Sequence, residues 1–302
     1  MSSSSAPSGV TLVSYAEGAK FVRSQQLLKL CAGSHGIEKV IAWGADSLRR
    51  DPLYVQHATA FETLQNLSRT VREKRPFCMG FKPLALMSTL LANDGRWILW
   101  TDSSQWNRPT VNHSLLDAIA ALEARHIDAV WGTQHCQVTG PANVVRAKGH
   151  PKNSWRPAVK GAQYYALVSQ EAVDAWLPSP PNGDKRARDK AVKTFMAAPH
   201  ILATNMFVRS TPANRAIAAR WLAMAVANPS AFCNCNQDQA ALSLLVYNER
   251  LPRVDYCGPF DSTAGGPMES QQKELHSKQQ KELRVFTHAL AAGAFEVREP
   301  NT

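Results

Sequence analysis

The first residue to consider for chemistry is an acid placed where an apolar run ends. Residues 97–100, Trp-Ile-Leu-Trp, read as a strand that runs into Thr101, Asp102, Ser103 and Ser104. In an open α/β sheet ligands bind beyond the carboxyl ends of the strands, which sets Asp102 beside the expected cleft. A carboxylate there can hold Mg²⁺ or Mn²⁺ while a diphosphate supplies further oxygens, and the metal neutralises charge building on a leaving group. Asp-Ser-Ser is also turn composition, and taken alone it reads as a turn that caps the next segment. A second acid, Asp238, stands with Gln239 at the head of an apolar stretch. Asn236 and Gln239 have the spacing of a capping box, and an acid in the first turn suits the helix dipole, so Asp238 can serve the helix and a site together.

Other reactive side chains carry less. The six cysteines, among them Cys78, Cys233 and Cys235, are scattered and read as reduced structural thiols, since a zinc site needs further ligands at set spacings. There is no glycine-rich phosphate loop, no His-Glu-x-x-His and no Gly-x-Ser-x-Gly elbow, which lowers the weight of those enzyme classes. The net charge of +10 favours anionic partners without choosing among them. The densest basic stretch, residues 185–190, has no aromatic side chains to stack on bases and reads first as a solvated loop and second as a phosphate or polyanion contact; no nucleic-acid partner is expected.

The elements that must position Asp102 alternate. Residues 10–15 form a strand, 18–30 a helix, 39–43 a strand and 53–72 a longer helix. After Pro76, Lys82 and Pro83 lead into a helix over 84–91, and Asn93-Asp94-Gly95 turns it into the strand that ends at Asp102. A helix over 114–125 and a strand over 128–131 complete the pattern, which predicts an α/β fold with a mostly parallel sheet. A proline-punctuated region over 140–188 reads as irregular and substrate-facing. A strand over 201–208 comes next, and Thr211-Pro212 opens a helix to about residue 228. The last clear helix starts near Asn236, and residues 270–283 read as a polar surface helix.

The ordered set Gly80-Phe81-Lys82-Pro83, then Asp94-Gly95, then Ile98 to Ser104 resembles the lysine-proline helix and Asp-x-Asp strand of GT-A-fold glycosyltransferases. Asn205 to Arg209, the helix around Trp221 and Asp238-Gln239 resemble the closing half of that fold, so the resemblance spans about residues 10 to 260. It implies that Ser14 and Tyr15 line a nucleotide pocket and that Asp102, with Ser103 and Ser104, binds the metal or the donor ribose. It further implies that Lys82 meets the diphosphate and that Asp238 and Gln239 touch the transferred sugar or the acceptor, Asp238 as catalytic carboxylate. Ser104 stands where the family has its second acid, so Mn²⁺ or Mg²⁺ would be held by Asp102 without a second carboxylate from the motif. A third ligand in the family often comes from a late His or Asp; His276 and His288 are available and read as surface residues.

Residues 1–9 read as a polar tail, and 10–302 as one domain with a nucleotide-sugar-binding half over 10–135 and an acceptor-binding half over 136–302. No apolar run approaches the roughly 20 residues that span a bilayer, and no secretory leader is apparent, so a soluble, cytoplasmic protein is expected. The expected activity is transfer of a sugar from a nucleotide-sugar donor to a glycan or other hydroxyl acceptor. The alternatives are a nucleotidyltransferase of similar fold and a catalytically degenerate protein that binds a nucleotide or glycan.

Overall fold

Strands and helices alternate because apolar runs of strand length alternate with stretches of helical periodicity. The structure, a computed structural model, describes residues 9–32, 37, 39–70, 76–103, 115–134, 144–146, 155–157, 170–177, 183–197, 201–234, 237–255 and 295–296. β1 (Val10–Tyr15) leads to α1 (Ala19–Ala32), β2 (Lys39–Trp43), α2 (Ala45–Arg49), α3 (Pro52–Gln56) and α4 (Ala58–Thr70). A short 3-10 turn, Pro76–Met79, precedes α5 (Phe81–Ala92), β3 (Trp97–Thr101), α6 (Leu115–Glu123), β4 (Ala129–Val130) and β5 (Thr133–Gln134). Next come β6 (Val144–Arg146), β7 (Trp155–Pro157), α7 (Gln170–Trp176) and α8 (Lys185–Ala197). The remaining elements are β8 (Ile201–Leu202), β9 (Asn205–Arg209), α9 (Pro212–Ala227), α10 (Pro229–Asn234), α11 (Gln237–Asn248), β10 (Arg253–Asp255) and β11 (Phe295–Glu296).

The main sheet has the order β2-β1-β3-β9-β4. β1 is parallel to β2 and to β3, whereas β9 runs antiparallel to both β3 and β4. The sheet is therefore mixed, which corrects the expectation of a mostly parallel one. An apolar run buried on both faces looks the same in either direction, so residue pattern could not reveal that β9 inserts in reverse between β3 and β4. A smaller sheet, β11-β10-β5-β8, and the pair β6-β7 stand apart from it.

Side-chain alternation along the strands feeds two cores. Val13, Ile98, Trp100, Met206 and Val208 point to one face, where they pack with Phe61, Leu84, Trp221 and Leu242. Leu12, Trp97, Leu99 and Phe207 point to the other, against Leu28, Ile119 and Leu122. β1 and β3 are buried along their whole length between these layers. Each large apolar side chain so enclosed contributes roughly 1.5–3 kcal/mol. The first core joins residues from both expected halves, since Trp221 and Leu242 share it with Val13.

Three further expectations need correction. The single helix expected over 53–72 is divided into α3 and α4 at His57, where the backbone leaves the helical region with φ of −114° and ψ of 23°. The basic stretch expected as a loop is the start of α8, where Asp184 accepts from the Arg186 amide at 2.8 Å. Cys78 and Cys233, expected as free thiols, are joined in a disulfide with Cα atoms 5.1 Å apart. None of the described helices is long and apolar enough to cross a membrane.

Candidate active site

The chain leaves β1 through α1 to β2 on one side and then returns across β1 to reach β3 on the other. That reversal makes the carboxyl ends of β1 and β3 a topological switch point, the place where α/β sheets take ligands. Asp102 lies just past β3 at this edge, and its amide donates to Thr204 O at 2.9 Å in the turn before β9. Lys82, in the first turn of α5, reaches the same point. Its ammonium lies 3.1 Å from Asp102 Oδ1 and 3.2 Å from Oδ2, and donates to Ala203 O at 3.2 Å. The fourth oxygen is Asp238 Oδ2 at 2.9 Å, an ion pair more than an aligned hydrogen bond. Lys82 and Asp238 are 1% and 2% exposed, while Asp102 keeps 22% and is the member of the cluster open to a ligand.

Two carboxylates share one cation here. Burial works against the Lys82 ammonium, but Asp102 and then Asp238 outweigh it, and the lysine stays charged above its ordinary value. For Asp102, burial pushes the carboxyl upward, Lys82 pulls it down, and the Asp238 charge adds to the rise, with a net upward shift. Removing the lysine would leave two buried acids without their cation, at a cost of about 3–5 kcal/mol.

Local structure holds each partner in place. Ahead of α5, Phe77, Cys78 and Met79 all take left-handed backbone conformations, with φ of 47°, 48° and 66°. Such conformations cost non-glycine residues energy and persist only where their surroundings enforce them. Phe77 and Cys78 are fully buried here, and the disulfide from Cys78 to Cys233 ties the turn to α10. At Gly80 a Cβ would meet Leu64 Cδ1 at 2.9 Å and Phe77 O at 3.0 Å, so the tight entry to α5 needs glycine. On the other side, the Trp221 indole of α9 donates to Asp238 O at 3.1 Å and fixes the start of α11. The Trp100 indole donates to Asp102 Oδ1 at 3.3 Å.

Of the residues expected at the site, Lys82, Asp102 and Asp238 come together from three distant segments. Gln239 and Ser103 are buried beside them in sequence, and the Gln239 carbonyl accepts from Ser243 Oγ at 2.6 Å. Tyr15 stacks on Phe81 with centroids 3.9 Å apart and donates to Glu17 Oε2 at 2.7 Å, so its ring reaches the helix that carries Lys82. Burial, then the Glu17 hydrogen bond, pushes the Tyr15 phenol well above its ordinary value. Ser14 points to the opposite face of the sheet, fully buried, and its hydroxyl has no partner. Ser104, His276 and His288 lie outside the described residues. Trp100 and Trp221 are supports that residue types alone do not single out. For Trp100 the available signal is its spacing two residues before Asp102, which puts both side chains on one side of an extended chain.

The donor set can be set against a divalent cation. Both Asp102 oxygens and Asp238 Oδ2 already surround the Lys82 ammonium, and among the described residues no group of three His, Cys, Asp or Glu gathers to hold a metal. With Lys82 standing between the carboxylates, Asp102 alone of the two acids keeps surface open to a cation. For the same reason Lys82 has no donor to spare for a diphosphate unless it releases one of its present partners. No protein-family model, curated protein or solved structure matches the chain.

Proposed function

We propose that this chain moves a sugar from a nucleotide-sugar donor to a hydroxyl acceptor in a GT-A-like site at the carboxyl edge of β1 and β3. The observation that carries the proposal is the meeting of Lys82, Asp102 and Asp238 around one ammonium, from the segments whose order resembles that family. Asp102, the partly exposed acid, accepts a hydrogen bond from a hydroxyl of the donor. Lys82 keeps that carboxylate oriented, and Asp238 with Gln239 forms the floor beneath it. In the transfer the bond from the anomeric carbon to the diphosphate breaks, a bond to the acceptor oxygen forms, and the proton of the acceptor hydroxyl passes to the departing nucleoside diphosphate. Positive charge gathers on the anomeric carbon in between, and fixed carboxylates at the site stabilise it. No step is routed through a metal.

The complete engagement of Lys82 favours a second reading, a protein that binds a nucleotide or glycan without turnover. Incubating the purified chain with a panel of nucleotide sugars, with and without Mn²⁺, and measuring nucleoside diphosphate release separates the two. Release that depends on the acceptor, vanishes in Asp102→Ala and persists without Mn²⁺ is the expected outcome. Nucleotide binding with no release would leave the second reading. Pyrophosphate release from a nucleoside triphosphate would indicate nucleotidyl transfer, and strict dependence on Mn²⁺ would return Asp102 to the role of metal ligand.

A further inference from the structure

Helix α1 is the element whose outer surface departs from the rest of the fold. Ala19, Val22, Arg23, Gln26, Lys29 and Leu30 recur at three- and four-residue spacing, share one face and are all exposed. The opposite face is fixed. Leu28 and Ala32 are buried in the core with Leu12 and Ile37, and the Gln25 carboxamide donates to Ser14 O and Trp43 O, both at 3.0 Å. The helix therefore cannot roll its outer residues into the core. Leu30 is 79% exposed, and of the five large apolar side chains exposed among the described residues three, Phe21, Val22 and Leu30, belong to α1. The outer face of α4 is of the ordinary kind: Thr59, Glu62, Thr63, Asn66 and Arg69 are exposed and no large apolar side chain is.

The charge of α1 is one-sided as well. Its charged residues are Lys20, Arg23 and Lys29, with no acid among them. Arg23 and Lys29 stand on the same face as Val22 and Leu30, so an occupant must take cations and aliphatic side chains together. A second copy docked face to face would set like charges against each other. Nucleic acid would gain nothing from Val22 and Leu30, which cannot stack on bases. An acidic protein would need a groove of its own to receive a single convex helix. The interface of an anionic bilayer accepts both components, because aliphatic side chains enter the acyl boundary while cations stay among the headgroup phosphates. The net charge of +10 draws the chain toward such a surface. The basic start of α8 lacks the apolar component: Lys185, Arg186 and Lys190 are exposed there, with no exposed large apolar side chain among the described residues of that helix.

We infer that the outer face of α1 docks on an anionic lipid surface, with Val22 and Leu30 at the headgroup boundary and Arg23 and Lys29 paired with lipid phosphates. The helix lies along the surface and does not cross it, since no described helix is long and apolar enough to span a bilayer. Its inward face keeps the core contacts and the two Gln25 hydrogen bonds, so docking needs no rearrangement of the fold. This docking is independent of the reading of the charged cluster as a sugar-transfer site.

The test is co-sedimentation of the full chain with two kinds of vesicle, pure phosphatidylcholine and phosphatidylcholine with about one third phosphatidylserine. Three variants are compared with the wild type: the apolar pair Val22→Ser, Leu30→Ser, the charge pair Arg23→Gln, Lys29→Gln, and a control in α8, Lys185→Gln, Arg186→Gln, Lys190→Gln. We expect the wild type to bind the phosphatidylserine vesicles and not the neutral ones, and each α1 pair to weaken that binding by about tenfold or more. The α8 control should weaken it less than the charge pair does, although it removes one more charge. All the substituted positions are exposed, so every variant should melt with the wild type. Absence of binding to the anionic vesicles at low salt, or equal binding to both kinds, would overturn the inference. So would a control that weakens binding as much as the charge pair, or an apolar pair that leaves it unchanged, since either result makes the contact diffuse charge. A concentration-dependent dimer abolished by Leu30→Ser, without vesicle binding, would give the face to a second copy, and binding to polyglutamate in place of vesicles would give it to an acidic protein.

Discussion

At the scale of single residues the decisive group is the Lys82 ammonium, buried with oxygens from two carboxylates and a carbonyl around it. Asp102 titrates above its ordinary value of 3.8, first because it is buried and also because Asp238 shares its cation. A group that binds its proton more tightly when folded contributes stability that is complete below the unfolded pKa and is lost as pH rises through the folded one. Asp102→Asn is neutral throughout and escapes that loss. Its melting temperature relative to wild type should therefore climb as pH rises above 3.8 and level off beyond the raised folded value. Melting curves of both proteins from about pH 4 to about pH 8 check this, and parallel profiles would refute it. The identities of Lys82, Asp102 and Asp238 could be picked from residue order, but that Lys82 spends its donors on the two acids could not. Whether a lysine faces solvent or a carboxylate depends on atoms brought from elsewhere in the chain.

At the scale of elements, the turn from β8 to β9, which joins the two sheets, does most to shape the site, since Ala203 and Thr204 in it bind Lys82 and the Asp102 amide. Its position depends on a close approach at Gly132. That residue has φ of +112°, and a Cβ there would lie 2.6 Å from Leu202 O and 2.7 Å from Ile201 Cγ2. Gly132→Ala combines backbone strain with overlap against a backbone carbonyl and should destabilise the fold by about 3 kcal/mol. A lowered urea midpoint with an unchanged slope would register it, and a midpoint equal to wild type would sink the argument. Strands β1, β2 and β3 and helix α9, with Thr211 capping Asn214 and Pro212 at the first helical position, were legible because local pattern and capping chemistry agree there. The start of α8 was missed because its first residues, Lys185 to Lys190, show no apolar periodicity.

Across the whole molecule, the Cys78 to Cys233 bond links the turn before Lys82 to the helix before Asp238, over a sequence separation of 155 residues. Closing so long a loop restricts the unfolded chain, and the double variant Cys78→Ser, Cys233→Ser should lose about 2–5 kcal/mol. Reductant should lower the melting temperature of the wild type and leave that of the double variant unchanged; equal sensitivity of the two would rule out the bond as the cause.

What the sequence determined alone is the alternation of strands and helices, the net positive charge and the presence of acids at a strand end and a helix start. These arise from periodicity and composition within short windows, where neighbours along the chain supply the physics. Only the tertiary structure decided the reversed β9, the disulfide and the partners of Lys82. Each of these depends on which distant segments share a burial layer. Strand direction leaves no mark on a doubly covered apolar run, and the partner of a buried polar group is chosen by packing.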